Sequence, residues 1–393
     1  MSFISPDRLQ TLAIHGDLGP DPETGALVTP IVQSTTFAQA GVGEHRGFTY
    51  SRAHNPTVSA LEIQLAALEG ARHCAAFATG MAAITGLALS VLRAGDHVVC
   101  SDVVYGGTVR LLERVLRNLG IRTTFVDTSD IDATWRAFEP STRLVLVESP
   151  ANPTLKLTDI AAVAGLAHDA NALCAVDNTF LTSVLQRPIE LGADVVVYST
   201  TKFIEGHNTT VGGAVLLDDD ALAARLDEVR KTVGSIQSPF DAWLTLKGLK
   251  TLPLRMAKHS ENAARVAAWL ETHSAVAAVA YPGLVSFPQA DLARRQQASG
   301  GGVLAFEVVG GADAGVAAMN ALELCHRAEN LGATETLATH PVSMTHGDVD
   351  PEHRQRVGIT DGLVRLSVGL EAADDIIGDL DRALATLKTE VVA

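Results

Sequence analysis

The sequence predicts an α/β protein built on one large, mostly parallel sheet. Three short runs at residues 144–147, 173–176 and 195–198 are rich in valine and apolar on both faces. Strands of this kind are typical of a parallel sheet that helices cover on both sides. Each run is followed by polar residues and then by a helical pattern, which is the βαβ repeat of an α/β domain. With 393 residues, 47% of them hydrophobic, the chain can bury two cores.

The N-terminal part of the chain, residues 1–49, is predicted to form an extended arm and loops. It is rich in glycine, proline and threonine and shows little periodicity. Because such an arm has no core of its own, we expect it to pack elsewhere. A helix is predicted to begin at Pro56 and to stop at Gly70. The apolar residues that support this helix are Val58, Leu61, Ile63, Leu65 and Leu68.

Strands and helices are predicted to alternate to about residue 235, with two further strands at residues 97–100 and 124–126. Right-handed crossovers would join these strands into one sheet. A long amphipathic stretch, residues 240–270, predicts one or more connecting helices. A smaller α+β portion follows, with strands near residues 302–307 and 363–368. We therefore expect three parts: residues 1–49, 50–243 and 244–393.

Composition excludes several classes of function. A formal net charge of -15 disfavours nucleic acid and anionic membranes as partners, because both require clustered basic residues. No apolar run is long enough to span a bilayer, and the N-terminus lacks the order of a signal peptide. The histidines at 340 and 346 lack a metal-binding spacing, so no metal is expected. A reduced, cytoplasmic protein is predicted by four widely spaced cysteines, Cys74, Cys100, Cys174 and Cys325.

Two polar residues follow neighbouring apolar runs and suggest a cofactor. Asp177 ends the run at 173–176, and Lys202 follows the run at 195–198. Open parallel sheets bind ligands at the carboxyl ends of their strands, so one ligand can meet both side chains. Pyridoxal phosphate (PLP) needs this pair: a lysine that forms a Schiff base with its aldehyde and an acid that keeps its ring nitrogen protonated. The alternative is a solvated loop lysine and a helix-capping aspartate.

Other segments add candidate contacts for such a cofactor. Gly80 and Met81 open a helix whose first amides are suited to a phosphate, although a tight helix start explains the same residues. Ser199 and Thr201 offer hydroxyls to that phosphate. Tyr105 follows a strand and could stack on a flat ring, whereas a lone tyrosine there is more often part of the core.

Further polar residues suggest a substrate site. Asn152 precedes a proline after a buried strand, where its side chain is exposed in a turn and could hydrogen-bond a carboxylate. Arg365 lies in an apolar strand, so it needs an anionic partner: a substrate carboxylate or an internal salt bridge. Tyr50 and Arg52 place a hydroxyl and a guanidinium at the end of the arm, which can complete a neighbour's site.

The chain closely resembles the PLP enzymes of cysteine and methionine metabolism, the family of cystathionine γ-lyase, cystathionine γ-synthase, methionine γ-lyase and the homoserine-ester sulfhydrylases. Within this family, the sequence is most similar to those of the bacterial cystathionine γ-lyases. The resemblance covers essentially the whole chain and is most specific in seven motifs: YSRAHNPT, ATGMAA, YGGT, VDNTF, YSTTKF, MTH and VRLSVGLE.

This resemblance implies a fold-type I PLP enzyme with a seven-stranded sheet, a C-terminal α+β domain and an arm that reaches the neighbouring subunit of a homotetramer built from catalytic dimers. Lys202 would hold PLP, Asp177 would pair with its ring nitrogen and Tyr105 would stack on the ring. The implied phosphate ligands are Gly80, Met81, Ser199 and Thr201, joined by Tyr50 and Arg52 of the adjacent subunit. The implied substrate contacts are Arg365, Asn152, Asn330, Tyr50, Arg110 and Thr49.

The implied reaction is γ-elimination on a small amino acid with a sulfur or oxygen substituent, giving 2-oxobutanoate, ammonia and the leaving group. Thr49 stands where cystathionine enzymes commonly carry an acid that faces the distal ammonium, which weakens the case for cystathionine. Gly107 replaces the cysteine typical of methionine γ-lyases. The asparagine at position 330 is similar to the residue of the sulfhydrylases, whereas Arg110 matches the residue of the cystathionine enzymes.

These conflicting signals leave alternatives open. They are γ-replacement as a cystathionine γ-synthase or acylhomoserine sulfhydrylase, and a γ-lyase for methionine or an unusual amino acid. A binding protein that keeps PLP without turnover is a further alternative, against which the complete set of Lys202, Asp177, Tyr105 and Arg365 argues.

Overall fold

The computed structural model describes residues 6–16, 18–345, 347 and 351–387. It confirms an α/β fold around a seven-stranded sheet with the strand order β1-β7-β6-β5-β4-β2-β3. Every pairing in this sheet is parallel except the two made by β7. The strands are β1 (His73–Phe77), β2 (His97–Ser101), β3 (Arg122–Val126), β4 (Thr142–Glu148), β5 (Leu173–Asp177), β6 (Val195–Tyr198) and β7 (Gly213–Leu217).

Helices cover the sheet and link it to the C-terminal part. The first helices are α1 (Pro6–His15), α2 (Pro56–Glu69), α3 (Gly80–Val91), α4 (Gly106–Arg110), α5 (Ile131–Arg136), α6 (Ile160–Asp169) and α7 (Thr182–Leu185). The others are α8 (Asp220–Val233), α9 (Pro239–Leu249), α10 (Leu252–Leu270), α11 (Ala290–Gln296), α12 (Gly311–Ala321), α13 (Pro351–Arg356) and α14 (Ala373–Ala385). A π-helical turn spans Leu111–Val115, and 3-10 turns span Leu116–Leu119 and Pro188–Leu191.

The predicted central helix forms as α2 for local reasons. The side chain of Asn55 accepts hydrogen bonds from the first turn, Pro56 occupies the first position, and Gly70 ends the helix with a φ of 78°. Proline suits the first turn because that N–H has no partner in a helix, and glycine adopts the left-handed conformation without a steric penalty.

Burial on both faces of the sheet explains its continuous apolar runs. In β6, Val195 and Val197 pack into the core that contains α3 and α8. Val196 and Tyr198 point to the opposite core, which contains α2 and α9. The strand therefore has no solvent-exposed face, as the sequence predicted.

A second sheet follows α10 and confirms the predicted smaller α+β part. Its five strands have the order β10-β11-β12-β9-β8, and α10, α12 and α14 supply apolar residues to its core. Residue 243, the predicted boundary between the two larger parts, lies inside α9. The strands are β8 (Val276–Ala280), β9 (Val303–Val308), β10 (His326–Arg327), β11 (Leu337–Thr339) and β12 (Leu363–Ser367).

The structure differs from the sequence prediction at the N-terminus. Residues 6–15 form α1, whereas the sequence predicted only an arm and loops. Leu9 and Ala13, one turn apart on α1, are buried in the core shared with α2 and α10. Two buried positions are too few for a clear periodic pattern, so the helix depends on this packing.

Among the described residues, no helix is both long and apolar enough to cross a membrane. The same part of the chain contains no group of three or more histidine, cysteine or acidic side chains that could hold a metal ion. All four cysteines are free thiols. His340 bonds to Ser343 and to the carbonyl of Asp361, which agrees with a structural role, and His346 lies outside the described residues.

Candidate active site

A cavity of about 230 Å³ lies where β4, β5 and β6 end and α3 begins. This is the edge of a parallel sheet at which ligands bind. Eight predicted site residues line it: Gly80, Met81, Tyr105, Asn152, Asp177, Ser199, Thr201 and Lys202. The lining residues that the prediction omitted are Thr79, Ile84, Glu148, Thr179, Phe180, Val211 and Leu331.

Asp177 and Lys202 meet in this cavity, as the strand pattern predicted. Asp177 is the last residue of β5, and Lys202 lies in the turns that follow β6. Thr179 fixes the carboxylate: its N–H and its hydroxyl donate to Asp177 Oδ1 at 3.0 and 2.6 Å. The same hydroxyl oxygen accepts the N–H of Ser199 at 2.9 Å. Thr179 thus ties the acid at the end of β5 to the residue after β6.

Burial changes the proton affinity of both groups. It lowers the pKa of Lys202 to about 8, helped by the positive charge of Arg365 and opposed by Asp177. Burial also raises the pKa of Asp177, and the bonds from Thr179 and the charge of Lys202 oppose that rise. Lys202 is therefore partly neutral near neutral pH, which suits an amine that acts as a nucleophile or a base.

The first residues of α3 form a concave surface beside Ser199. Thr79 caps the helix by accepting the N–H of Ala82 at 3.0 Å, which leaves the amides of Gly80 and Met81 without an acceptor inside the helix. Gly80 approaches Ser199 so closely that a Cβ on residue 80 would lie 2.9 Å from the Cβ of Ser199. Thr201 bonds to both the N–H and the carbonyl of Gly212 at 3.0 and 3.1 Å.

Glu148, the last residue of β4, is a site residue that the prediction missed. Its Oε2 accepts the backbone N–H of Tyr105 and its Oε1 accepts that of Asn152, both at 2.9 Å. Burial and the nearby Asp177 raise its pKa to about 8. One signal could have found it: Glu148 is the register partner of Asp177, so two carboxylates end adjacent parallel strands.

Arg365 lies beside the cavity, buried in β12. It donates to Asn152 Oδ1, to Thr339 Oγ1 and to the backbone carbonyl of Asn330, each at 2.9 Å. Its Nε is buried without a partner, and no ion pair joins it to a carboxylate of the described residues. Burial lowers its pKa to about 10, well above neutral, so it remains a cation. An unpaired buried guanidinium is costly unless an anion binds there.

A family model described as "Cys/Met metabolism PLP-dependent enzyme" matches residues 10–385. The chain belongs to this family. It is 44% identical to a cystathionine beta-lyase of Coxiella burnetii, over 96% of this chain and 98% of the relative. It is 46% identical to a cystathionine gamma-synthase of Mycobacterium bovis, over 95% and 96%. A solved cystathionine gamma-lyase of Lactobacillus plantarum, complexed with L-serine, is 39% identical with a TM-score of 0.93 over 96% of this chain and 98% of that one.

The residues of this Cys/Met metabolism enzyme fit its PLP cofactor. Lys202 is a buried lysine with a lowered pKa, which suits an amine that bonds to the aldehyde of PLP. Asp177 is a buried carboxylate that can pair with the ring nitrogen. The N-terminus of α3 suits a phosphate, because Gly80 lies against Ser199 and leaves open a space that a Cβ would fill. The chain is a PLP-dependent enzyme, and its family acts on amino acids of cysteine and methionine metabolism.

Four predicted site residues of this enzyme lie away from the cavity of their own chain, and two more, Arg365 and Asn330, adjoin it without lining it. Tyr50 is exposed with Arg52 over its ring, and Arg52 donates to the carbonyl of Lys231 at 2.7 Å. Thr49 and Arg110 are also exposed. Asn330 adjoins the cavity instead, because its Oδ1 accepts the amine of Lys202 at 2.5 Å. A role for Tyr50 and Arg52 in a neighbouring subunit stays a prediction.

Proposed function

We propose that the protein catalyses PLP-dependent γ-elimination on an amino acid with a sulfur or oxygen substituent at Cγ, as a cystathionine γ-lyase does. The products are 2-oxobutanoate, ammonia and the leaving group. One observation carries the proposal: the partly neutral amine of Lys202 lies between a buried carboxylate, Asp177, and a buried arginine, Arg365, that has no carboxylate partner among the described residues.

Each of these side chains has a defined task. Arg365, with Asn152, binds the substrate carboxylate, since a guanidinium holds a carboxylate with two parallel hydrogen bonds. Asp177 would keep the ring nitrogen of PLP protonated. When bound, PLP supplies an electron sink for the negative charge that develops at the substrate Cα. Gly80, Met81, Ser199 and Thr201 would bind the phosphate.

Lys202 then moves protons. Its amine takes a proton from Cα, and loss of a second proton from Cβ lets the Cγ substituent leave with its electron pair. Tyr105, which lines the cavity and is partly exposed, would donate a proton to that leaving group. The two protons return to Cγ and Cβ, and water then releases the nitrogen as ammonia and the carbon chain as 2-oxobutanoate.

The second candidate is γ-replacement, in which a thiol adds at Cγ. Two observations favour it. Asn330, a residue type that resembles the sulfhydrylase branch at this position, accepts a hydrogen bond from Lys202. The gamma-synthase relative is as similar to this chain as the beta-lyase relative is. Elimination and replacement share the first half of the reaction, so the same residues serve both.

The proposal extends to the assembly. Tyr50 and Arg52 complete the site of an adjacent subunit in a homotetramer of catalytic dimers, which fits their exposure and their absence from the cavity lining of their own chain. The three parts are an arm at residues 1–49, a PLP domain at 50–243 and a C-terminal domain at 244–393. We place the protein in the cytoplasm, in line with its free cysteines.

The test identifies the 2-oxoacid that the purified, PLP-loaded protein releases. L-cystathionine, an O-acyl-L-homoserine and L-methionine are assayed separately, and the acylhomoserine also with cysteine. We expect 2-oxobutanoate, whereas β-elimination of cystathionine would give pyruvate. Predominant cystathionine formation from acylhomoserine and cysteine would favour replacement.

A lysine pair supplies the control. Lys202→Ala should abolish turnover, while Lys258→Ala, which changes an exposed lysine paired with Glu261, should not alter it. Undiminished turnover by Lys202→Ala would refute the assigned base.

A further inference from the structure

A chain of side-chain amides leads from the protein surface to the amine of Lys202. Lys202 Nζ donates to Asn330 Oδ1 at 2.5 Å, and Asn330 Nδ2 donates to Asn208 Oδ1 at 2.6 Å. Asn208 Nδ2 donates in turn to Glu335 Oε2 at 3.3 Å. Asn208 and Glu335 are exposed, and neither belongs to the site derived above.

The direction of these bonds fixes the Asn330 carboxamide. An amide has one accepting and one donating end. Because Asn208 presents its oxygen, Asn330 must turn its NH2 group toward Asn208 and its oxygen toward Lys202. A flipped Asn330 would set an oxygen against the oxygen of Asn208 and an NH2 group against the ammonium of Lys202. Glu335, which only accepts, selects this orientation of Asn208.

The backbone on both sides of the chain of amides is also fixed. Asn208 has a φ of 56°, in the left-handed region that asparagine adopts more readily than most residues. The N–H of Thr334 donates to the carbonyl of Gly206 at 2.9 Å, which joins the two loops that carry Asn208 and Asn330. The carbonyl of Asn330 also accepts Arg365 at 2.9 Å. The acceptor for Lys202 is thus tied to the arginine of the carboxylate site.

We propose that Asn208 is a positioning residue for Lys202, acting through Asn330. It holds the Asn330 oxygen toward the lysine, so that the amine has a fixed acceptor whenever it is not bonded to the cofactor. This inference rests on the proposed function, in which the freed Lys202 carries protons at Cα. An amine that is held in place transfers a proton faster than one that rotates among conformers.

The same contact affects the protonation of Lys202. An oxygen acceptor favours the ammonium form, because a hydrogen bond to a charged donor is stronger than one to a neutral donor. Two charged groups also act on this amine: Asp177 from β5 favours the ammonium, and Arg365 from β12 opposes it. Loss of the oriented oxygen should therefore lower the pKa of Lys202.

Two variants test the inference without straining the backbone. Asn208→Gly removes the amide and keeps the left-handed conformation, which glycine tolerates. Asn208→Asp combined with Glu335→Gln restores both contacts: the new carboxylate accepts from Asn330, and the new amide donates to it. Glu335→Gln alone is the third protein. All three are compared as full-length, PLP-loaded enzymes.

We expect Asn208→Gly to lower kcat roughly tenfold, because Asn330, no longer oriented by Asn208, loses its hydrogen bond to the charged Lys202. KM should change little, because Arg365 is intact. The double variant should recover most of kcat. A second readout does not use turnover: PLP is removed and added back, and absorbance follows its attachment to Lys202. In Asn208→Gly the pH midpoint of the attachment rate should move to lower pH.

Unchanged kcat and an unchanged attachment midpoint in Asn208→Gly would overturn the inference. So would a loss of kcat that the double variant fails to recover, because that result indicates a general effect of the loop. If the wild-type protein turns over none of the substrates, the proposed function fails instead. In that case the attachment midpoint still decides whether Asn208 acts on Lys202.

Discussion

Replacing Glu148 with glutamine should separate two tasks of the active site. Each carboxylate oxygen of Glu148 accepts one backbone N–H, from Tyr105 and from Asn152. Glutamine has nearly the same shape but only one accepting oxygen, and its NH2 group must face the other N–H. One of the two backbone groups therefore loses its acceptor and meets a donor.

The structure sets the size of this effect. Loss of one buried hydrogen bond to a charged acceptor costs about 1.5–3 kcal/mol, which is roughly a tenfold to hundredfold change in a rate or binding constant. The pKa of Glu148 is raised to about 8, so its full negative charge is present above that pH and is lost as pH falls through it. Because a neutral carboxyl already lacks that charge, the difference between wild type and Glu148→Gln should be largest above pH 8.

Steady-state kinetics and the absorbance of bound PLP measure the result. A lower kcat indicates that Tyr105 has moved, and a higher KM indicates that Asn152 has moved. Glu69→Gln is the matched control, because Glu69 is also a buried glutamate whose pKa burial raises to about 8 but it lies outside the cavity. If Glu148→Gln changes kcat and KM no more than Glu69→Gln does at any pH, Glu148 does not position these residues.

Three further predictions concern the cofactor and substrate contacts. The kcat of the wild-type enzyme should rise with pH through about 8, since Lys202 accepts a proton only when neutral; a flat profile on both sides of that pH would contradict its role as base. Gly80→Ala should weaken PLP binding by about 1–3 kcal/mol, because the new Cβ would lie 2.9 Å from the Cβ of Ser199, and PLP titration of the apo-protein measures the loss. Arg365→Met should raise KM on the order of a hundredfold while PLP stays bound, and an unchanged KM would remove Arg365 from the carboxylate site.

The sequence predicted the parts of the fold that a local pattern controls. The four parallel strands β2, β4, β5 and β6 were predictable because their apolar runs are buried on both faces. The edge strand β3 was also predicted, although its residues are only partly buried or exposed. The strands β1 and β7 were not named. In β1 the middle of the strand is Cys74, Ala75 and Ala76, which lack the branched side chains that mark a strand, and β7 begins at the second glycine of the pair Gly212 and Gly213. These two strands form through their mutual antiparallel pairing, which is a long-range contact.

The site shows the same division. Lys202 and Asp177 were predictable because Asp177 ends one strand and Lys202 follows the next, and parallel strands bring their ends together. The tasks of Glu148 and Thr179 were not predictable from residue type, because both act on backbone N–H groups. Asn208 was missed for another reason: its partners Asn330 and Glu335 come from a loop more than a hundred residues later.

The charges around the cavity support the proposed contribution of a second subunit. Within the described residues, the cationic groups at the site are Lys202 and Arg365, and the carboxylates are Asp177 and Glu148. In the proposed function, Arg365 binds the substrate carboxylate, and Lys202 is partly neutral near neutral pH because its pKa is lowered to about 8. A phosphate with nearly two negative charges would then find only the amides at the start of α3 and hydroxyls. We propose that a guanidinium from a neighbouring subunit supplies the missing charge. Arg52, which donates to the carbonyl of Lys231 outside its own cavity, would meet that need in the site of an adjacent subunit.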